Sequence, residues 1–202
     1  PLSTSFGLIG TVLLPAVAGL GVVFHDDPRD VETVGALAGT HGITVLPVSV
    51  DQLVRYTHEI SPEAFSRLRH AVVAGGDLPD TERELFQERF GVEPLEGFGC
   101  AECAPLVSLN VPTIVRDARG QTGHHAGTSG HPLPGIAVKI VDSEGHELPP
   151  GDEGALLVRG ANVMRGYLGD SDLTASVLQD GWYLTGYKAI EDADGFLTIG
   201  GR

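Results

Sequence analysis

Two patterns of hydrophobic and polar positions divide the sequence near residue 112. Before that point, short runs of consecutive apolar residues alternate with stretches of helical periodicity, which is typical of buried parallel strands covered by helices. From Pro112 onward, apolar and polar residues alternate between glycine-rich turns, as they do in antiparallel strands. The sequence therefore predicts an α/β fold, with half of a mostly parallel sheet flanked by helices over 1–112 and a small antiparallel β-barrel-like subdomain over 113–202.

Capping residues and glycines place the individual elements. Asp30, for example, precedes a helical pattern that ends at Gly42. The elements predicted for the first part are a helix over Ser5–Gly19 kinked at Pro15, a strand over Gly21–Phe24, a helix from Asp30 to Gly42, a strand over Ile43–Leu46, a helix over Val50–His58, a strand over Ala71–Ala74, and a helix capped by Asp80 and closed by Gly91. Those predicted for the second part are strands over Gly135–Asp142, Gly154–Arg159 and Gly195–Ile199.

The first 24 residues carry no formal charge, which raises the question of a membrane span. Pro15 and four glycines interrupt this stretch, and no basic flank precedes it. The chain also opens on Pro1 without the basic region of a signal peptide. We expect a buried helix followed by a buried strand instead.

Charge and cysteine content narrow the functional classes. Lys and Arg total 13 against 27 Asp and Glu, a formal net charge of −14. Such a surface repels phosphate backbones, so we expect no nucleic-acid partner. The two cysteines, Cys100 and Cys103, lie too close together to staple a domain, which favours a reducing, cytoplasmic setting.

Candidate chemistry is concentrated in three segments, Glu96–Cys103, Gly181–Tyr187 and Ile199–Arg202. In the first, a strand ends in glycines and then presents Phe98 and Glu102. Ligands of open α/β sheets lie at the carboxyl ends of strands, where an aromatic ring can stack on a heterocycle and a carboxylate can hold Mg²⁺ on a polyphosphate. The alternative is an ordinary strand-to-loop turn with a buried Phe and a solvated Glu.

The order and spacing of these segments resemble the adenylate-forming superfamily of acyl-CoA and acyl-carrier-protein synthetases, luciferases and peptide-synthetase adenylation domains. That superfamily carries a Tyr-Gly-x-Thr-Glu segment, a Gly-Trp-(Tyr/Phe)-x-Thr-Gly-Asp segment and a Gly-Arg at an interdomain hinge. The stretch Gly97–Pro112 is most similar to the acyl-ACP synthetase part of bifunctional 2-acylglycerophosphoethanolamine acyltransferase/acyl-ACP synthetase proteins. The blocks Pro132–Gly135 and Asn162–Leu168 also fit.

This resemblance implies a two-step reaction with ATP and Mg²⁺. A fatty acid or other carboxylate attacks the α-phosphate to form an acyl-adenylate, and an acceptor (acyl carrier protein, CoA or a lysophospholipid) then takes the acyl group. Glu102 would be the catalytic and Mg²⁺-binding glutamate. The residues that would border ATP or AMP are Gly75, Gly76, Asp77, Phe98, Gly99, Ala101, Tyr187 and Arg202.

The resemblance also implies a position for the fatty-acyl tunnel and for parts outside the sequence. The tunnel would run between Phe6–Val17 and the strand at Ala71–Gly75. A phosphate loop would precede Pro1, and a lid with a catalytic lysine would follow Arg202. The 202 residues alone are then expected to be inactive, with membrane contact arising only through other parts of the protein.

Three departures from the superfamily pattern support a different hypothesis. Tyr187 replaces the Asp that binds the ribose hydroxyls, Ala101 replaces a phosphate-contacting Thr, and Thr4 stands where many relatives have His. The alternative to an active enzyme is therefore a catalytically degenerate acyl- or nucleotide-binding domain with the synthetase fold.

Metal and redox roles are the weaker alternatives for the Cys100–Cys103 pair. It is a CxxC, but it follows a Gly-Phe-Gly turn, and the sequence has no second CxxC for a structural zinc site. The scattered histidines are expected at surfaces and turns.

Overall fold

The computed structural model describes residues 2–116 and 119–201. The chain forms two compact units, Pro1–Glu96 and Gly97–Arg202. The boundary between them falls earlier in the sequence than the change of hydrophobic pattern at Pro112. Each unit has a hydrophobic core of its own.

The first unit is built on a parallel sheet in which β2 lies between β1 and β3. Leu46 on β1 pairs with Ala71 on β2, and Val72 on β2 pairs with Leu95 on β3. The strands are β1 Val45–Ser49, β2 His70–Ala74 and β3 Pro94–Phe98, the last of which crosses the boundary between the units.

The helices of this unit are α1 Ser5–Leu8, a π-helix Ile9–Leu13, α2 Leu14–Ala18, α3 Val31–His41, α4 Val50–Glu59, a 3₁₀ turn Pro62–Phe65 and α5 Asp80–Phe90. Those from α3 onward contribute apolar side chains to one core with the strands. The core that they form with the strands includes Leu46, Val48, Leu53, Tyr56, Phe65, Val73 and Phe86.

Local capping determines where these helices begin and end. The Asp30 side chain accepts a hydrogen bond from the Thr33 amide, and α3 ends at Gly42 with φ of 60°. Both predicted ends of α3 are thus confirmed. The predicted cap at Asp80 is wrong, because Pro79 holds the N-cap position of α5 and Asp80 is already helical.

The N-terminal stretch differs most from its prediction. The helical path from Ser5 to Gly19 is confirmed, with the π-helix ending at Leu13, two residues before Pro15, which has no amide hydrogen to donate. The predicted burial is wrong, however, since Val17 is 89% exposed. The strand predicted over Gly21–Phe24 is also wrong, because this segment is irregular and Phe24 is exposed. Within 2–116 and 119–201, none of the helices has both the length and the apolar character that a membrane crossing requires.

The second unit is dominated by antiparallel strands. In its main sheet the order is β10-β11-β9-β8, and β12 pairs with β11. The elements of this unit after β3 are β4 Ser108–Leu109, β5 Ile114–Arg116, β6 Arg119–Gln121, β7 His131–Pro132, β8 Ile136–Val141, β9 Gly154–Gly160, α6 Ser171–Val177, β10 Leu178–Gln179, β11 Trp182–Glu191 and β12 Leu197–Ile199.

The predicted fold class is confirmed: a parallel sheet with helices precedes an antiparallel sheet. The strand at Ile136–Val141 lies inside the predicted range Gly135–Asp142, and the long strand β11 is an addition to the prediction. The core of this unit includes Phe98, Cys103, Val107, Leu156, Val158 and Tyr183.

Candidate functional site

The turn that follows β3 folds back tightly on the end of that strand. The Val107 amide donates to the Phe98 carbonyl at 2.8 Å, which closes the loop between them. A Cβ atom added to Gly99 would lie 1.8 Å from the Pro105 carbonyl oxygen. Glycine is therefore required here by the close approach of two backbone segments.

A 3₁₀ turn over Ala101–Cys103 presents the Glu102 carboxylate. The Glu102 carbonyl accepts a hydrogen bond from the Met164 amide at 2.7 Å, and its carboxylate oxygen Oε1 accepts one from the Tyr167 hydroxyl at 2.9 Å. Backbone and side chain are thus both fixed by the segment around residues 164–167. This segment holds the carboxylate in a defined orientation.

Tyr183 on β11 extends this network. Its side chain is buried and its hydroxyl hydrogen-bonds to Tyr167. The hydrogen bond to Glu102, together with burial, raises the pKa of Tyr167 above its usual value. Burial, followed by the hydrogen bond to Tyr167, raises the pKa of Tyr183 well above its usual range. Both phenols therefore stay protonated at neutral pH, and Tyr167 donates to the Glu102 carboxylate.

Phe98 and Tyr187 form an aromatic pair in the same unit. Their ring centroids are 5.0 Å apart, with an interplanar angle of 75°, an edge-to-face contact. Phe98 belongs to the core of the unit and is only 8% exposed. The ring predicted to stack on adenine is thus largely covered.

A β-bulge places Tyr187 on β11. Leu184 pairs with Leu157 and Lys188 with Ala155, so the step from 184 to 188 on β11 faces the shorter step from 157 to 155 on β9. Within the bulge, the buried Thr185 hydroxyl donates to the Leu156 carbonyl and accepts from the Tyr187 amide.

The two cysteines lie at the ends of the 3₁₀ turn, and both are free. Cys100 is half-buried, whereas Cys103 is completely buried. A hydrogen bond between their side chains lowers the pKa of the Cys100 thiol and, together with burial, raises that of the Cys103 thiol. The Asn162 amide donates to the Cys103 carbonyl at 2.7 Å and so holds the end of the turn in place.

The other predicted site residues that the structure describes take no part in the hydrogen bonds within the Glu102–Tyr167–Tyr183 network. Gly75, Gly76 and Asp77 belong to the first unit, where they form an exposed turn after the carboxyl end of β2, with φ of 94° at Gly75. The predicted tunnel segments, Phe6–Val17 and Ala71–Gly75, belong to that unit as well. Arg202 lies outside the described residues, and Ala101 presents an exposed methyl group beside Glu102.

The donor groups limit how a metal ion could be held. Across 2–116 and 119–201 there is no group of three or more His, Cys, Asp or Glu side chains able to hold one. A single oriented carboxylate such as Glu102 fits Mg²⁺, which typically keeps its waters and binds one or two carboxylates together with substrate phosphates. The residues present are compatible with a Mg²⁺-nucleotide, and not with an all-protein metal cage.

The sequence reasoning did not identify three residues that organise this site, namely Tyr167, Tyr183 and Asn162. Tyr167 is 65 positions from Glu102, so helix or strand periodicity cannot pair the two residues. One signal was available. Asn162 and Tyr167 lie in the block 162–168 that fits the superfamily, and Tyr183 falls on the Tyr/Phe position of the Gly-Trp-(Tyr/Phe) segment.

Comparison with known proteins gives consistent matches. The family model described as AMP-binding enzyme matches residues 1–168. A long-chain-fatty-acid–CoA ligase of Salmonella typhimurium is 41% identical over 128 residues, which cover 62% of this chain and 21% of the relative. One from Haemophilus influenzae is 31% identical over 201 residues, which cover 98% of this chain and 34% of the relative.

Solved structures match over the full chain. The crystal structure of the anthranilate CoA ligase AuaEII in complex with anthranoyl-AMP aligns with a TM-score of 0.84 and 26% identity, covering 100% of this chain and 38% of the other. An ATP-bound RpMatB-BxBclM chimera aligns with a TM-score of 0.85 and 25% identity, covering 100% and 39%. The chain therefore spans about a fifth to two fifths of the length of these proteins.

Proposed function

This chain belongs to the AMP-binding enzyme family, and from that premise we propose that the whole protein activates a long-chain fatty acid with ATP and transfers the acyl group to CoA. In the first step a carboxylate oxygen attacks the α-phosphorus and displaces pyrophosphate. In the second, the CoA thiol attacks the acyl carbon and releases AMP. The resemblance to the adenylate-forming superfamily is confirmed by the family match, and the named fatty-acid and CoA substrates of the relatives support this choice.

The observation that carries the proposal is the fixed orientation of Glu102. Its carboxylate accepts a hydrogen bond from the Tyr167 hydroxyl at 2.9 Å, and Tyr167 is in turn hydrogen-bonded to Tyr183. The phenols are neutral, so they orient the carboxylate without cancelling its charge. We infer that Glu102 would hold Mg²⁺ on the ATP phosphates. Mg²⁺ bound there would neutralise charge on the phosphates.

The remaining residues of the proposed nucleotide site are uncharged except for Asp77 and Arg202. Gly99 allows the backbone to turn tightly beside the phosphate region, and Gly75, Gly76 and Asp77 would border the adenine. Phe98, Ala101, Tyr187 and Arg202 complete the proposed contacts with ATP and AMP. A fatty acid would lie between Phe6–Val17 and the segment Ala71–Gly75.

Acyl carrier protein and a lysophospholipid are the other proposed acceptors. They follow from the similarity of Gly97–Pro112 to acyl-ACP synthetases that are fused to an acyltransferase, and the protein would then act on acyl carriers at a membrane surface. We propose a cytoplasmic location, which the two free cysteines support. Assaying CoA, acyl carrier protein and lysophospholipid side by side distinguishes the three acceptors.

A second function, nucleotide or acyl binding without adenylation, is favoured by one specific observation. Tyr187 packs edge-to-face on Phe98 in place of an acceptor for the ribose hydroxyls. Loss of a charge-assisted hydrogen bond weakens binding by about 1.5–3 kcal/mol, or roughly one to two powers of ten. Ala101 and Thr4 remove two further polar groups.

Fatty-acid-dependent ATP–pyrophosphate exchange in the whole protein decides between the two functions. We expect measurable exchange, an increase of about 10–100-fold in the Tyr187→Asp variant, and loss of exchange in Glu102→Gln. If neither the natural protein nor Tyr187→Asp supports exchange, the synthetase proposal fails. Binding of AMP or fatty acid without exchange then supports the second function.

A further inference from the structure

The two cysteines lie at the ends of one closed turn. The Cys103 amide donates to the Cys100 carbonyl at 3.0 Å, which makes residues 100–103 a single hydrogen-bonded turn. The Cα atoms at the ends of such a turn are less than about 7 Å apart, and disulfides join residues whose Cα atoms are about 4.4–6.8 Å apart. The turn therefore brings the two residues to the separation that a disulfide requires.

Both cysteine side chains are carried by this one turn of residues 100–103. These are the only two cysteines in the sequence, and no other intramolecular pairing competes with theirs.

We propose that Cys100 and Cys103 form a reversible dithiol–disulfide site that reacts with low-molecular-weight disulfides of the glutathione type. The sulfur of Cys100 attacks such a disulfide, forms a mixed disulfide and releases one small thiol. The sulfur of Cys103 then attacks Cys100, forms the internal disulfide and releases the second small thiol. The protein loses two protons and two electrons, and the small disulfide gains them as it becomes two thiols.

The difference in burial assigns these roles. Cys100 is half-buried and can meet a small molecule, whereas Cys103 is 0% exposed and can reach only its neighbour in the turn. A partly accessible attacking thiol beside a fully buried resolving thiol is the arrangement expected of a redox-sensitive pair. Disulfides of reducing compartments are usually of this transient kind.

The turn that would be closed is the one that carries Glu102. Its carbonyl is held by Met164 and its carboxylate by Tyr167. A bond across the turn links the oxidation state of the cysteines to the position of this carboxylate, and this consequence rests on the proposed function. Formation of the disulfide itself does not depend on it.

The test is oxidation of the natural protein with glutathione disulfide under native conditions. We expect both titratable thiols to disappear, the intact mass to fall by two hydrogen atoms, a peptide containing the Cys100–Cys103 bond to be recovered, and dithiothreitol to reverse all three changes. The matched control is Cys100→Ser, which replaces a half-buried thiol with a hydroxyl of similar size. Its Cys103 thiol should survive the same treatment.

Three results would overturn the proposal. One is a stable glutathione adduct on Cys100 with Cys103 still reduced, which would mean that the second sulfur cannot reach the first. Another is a dimer linked through Cys100. The third is oxidation that occurs only after unfolding in urea. Because each is seen by mass, failure of the redox site can be distinguished from failure of the synthetase activity.

Discussion

Glu96 and Glu102 are only six positions apart, but one is paired with a cation and the other with a neutral hydroxyl group. In the first unit, Glu96 accepts a hydrogen bond from the Arg83 guanidinium at 2.8 Å, and the two side chains are only 14% and 8% exposed. In the second, Glu102 accepts one from a neutral phenol, Tyr167. The guanidinium opposes the charge of its glutamate, whereas the phenol orients its glutamate and leaves the charge in place.

This difference in partners indicates that the Glu96 carboxylate stabilises the fold, whereas the Glu102 carboxylate binds a ligand. Burial raises the pKa of Glu96 even though Arg83 opposes that effect, so the ion pair is required chiefly to offset burial. The pair with Glu96 joins α5 to β3, and Arg83 also pairs with Asp80 and donates to the Leu78 carbonyl just before α5. We therefore assign Glu96 to the stability of the first unit and Glu102 to ligand binding in the second.

Removal of Arg83 is the most severe test of this comparison. Arg83→Met removes the guanidinium that pairs with the buried Glu96, and we expect the free energy of unfolding to fall by about 3–5 kcal/mol, measured by urea denaturation. Adding Glu96→Gln to this variant should recover part of the loss. If the single variant unfolds at the natural urea midpoint, the ion pair does not stabilise the unit.

The same variant should show a particular pH dependence. A raised pKa means that the folded protein binds the Glu96 proton more tightly than the unfolded chain does. The stability that this supplies is fully present below the unfolded pKa and is lost as the pH rises through the folded pKa. Arg83→Met should thus be closer to the natural protein near pH 4 than at pH 7, and a constant difference would contradict the assignment.

Substitution of Gly99 tests whether the turn that carries Glu102 depends on close backbone packing. Gly99→Ala brings a methyl group against the Pro105 carbonyl, and we expect a loss of about 3 kcal/mol, the upper end for overpacking. Gly21→Ala is the matched control, because nothing lies within 4 Å of a Cβ built there. Urea denaturation should leave the control nearly unchanged, and equal effects would refute the packing argument.

Two tyrosine-to-phenylalanine variants compare a charged acceptor with a neutral one. Tyr167→Phe removes the hydrogen bond to the Glu102 carboxylate, and we expect a loss of about 1.5 kcal/mol. Tyr56→Phe removes a 2.8 Å hydrogen bond to the Pro28 carbonyl, and we expect about 0.5–1 kcal/mol. A larger loss in Tyr56→Phe by thermal or urea unfolding would show that Tyr167 does not interact with an ionised carboxylate.

The smallest effect concerns an exposed ion pair. Hydrogen bonds from Arg29 lower the pKa of Asp27 to about 2. Arg29→Ala should return this pKa towards its ordinary value, as observed by NMR titration of the side-chain carboxyl. Because the shift is downward, its contribution to stability is present above the ordinary pKa and is lost as the pH falls towards 2. If the pKa of Asp27 is unchanged in this variant, the Arg29 side chain is not what lowers it.

The sequence predicted best those elements that are determined by neighbouring residues. Helix α3 was placed at both ends because Asp30 and Gly42 form their hydrogen bonds and backbone turn within the helix itself. The strand at Gly21–Phe24 was mispredicted because hydrophobicity alone does not make a strand, which also needs a hydrogen-bonded partner. Pro79 displaced Asp80 from the cap of α5 because its fixed φ suits the position that precedes the first turn.

Only those residues of the candidate site that belong to a recognisable sequence motif could be predicted. Phe98, Gly99 and Glu102 could be selected because the family pattern marks them, and they do lie in one turn at the end of β3. Tyr167 and Tyr183 come from distant segments, and only the folding of the second unit brings them together. Tertiary contacts of this kind leave no periodic signal in the sequence.

The bulge around Tyr187 has a consequence for the evolution of the site. Strand pairing resumes at Lys188 opposite Ala155 on the far side of the bulge, so the register of the sheet does not depend on the side chain at position 187. Strand alignment therefore constrains the side chain at this position less than those at the paired positions of β11. A lineage could exchange an acidic side chain for an aromatic one, and hence one ligand preference for another, while inheriting the same scaffold.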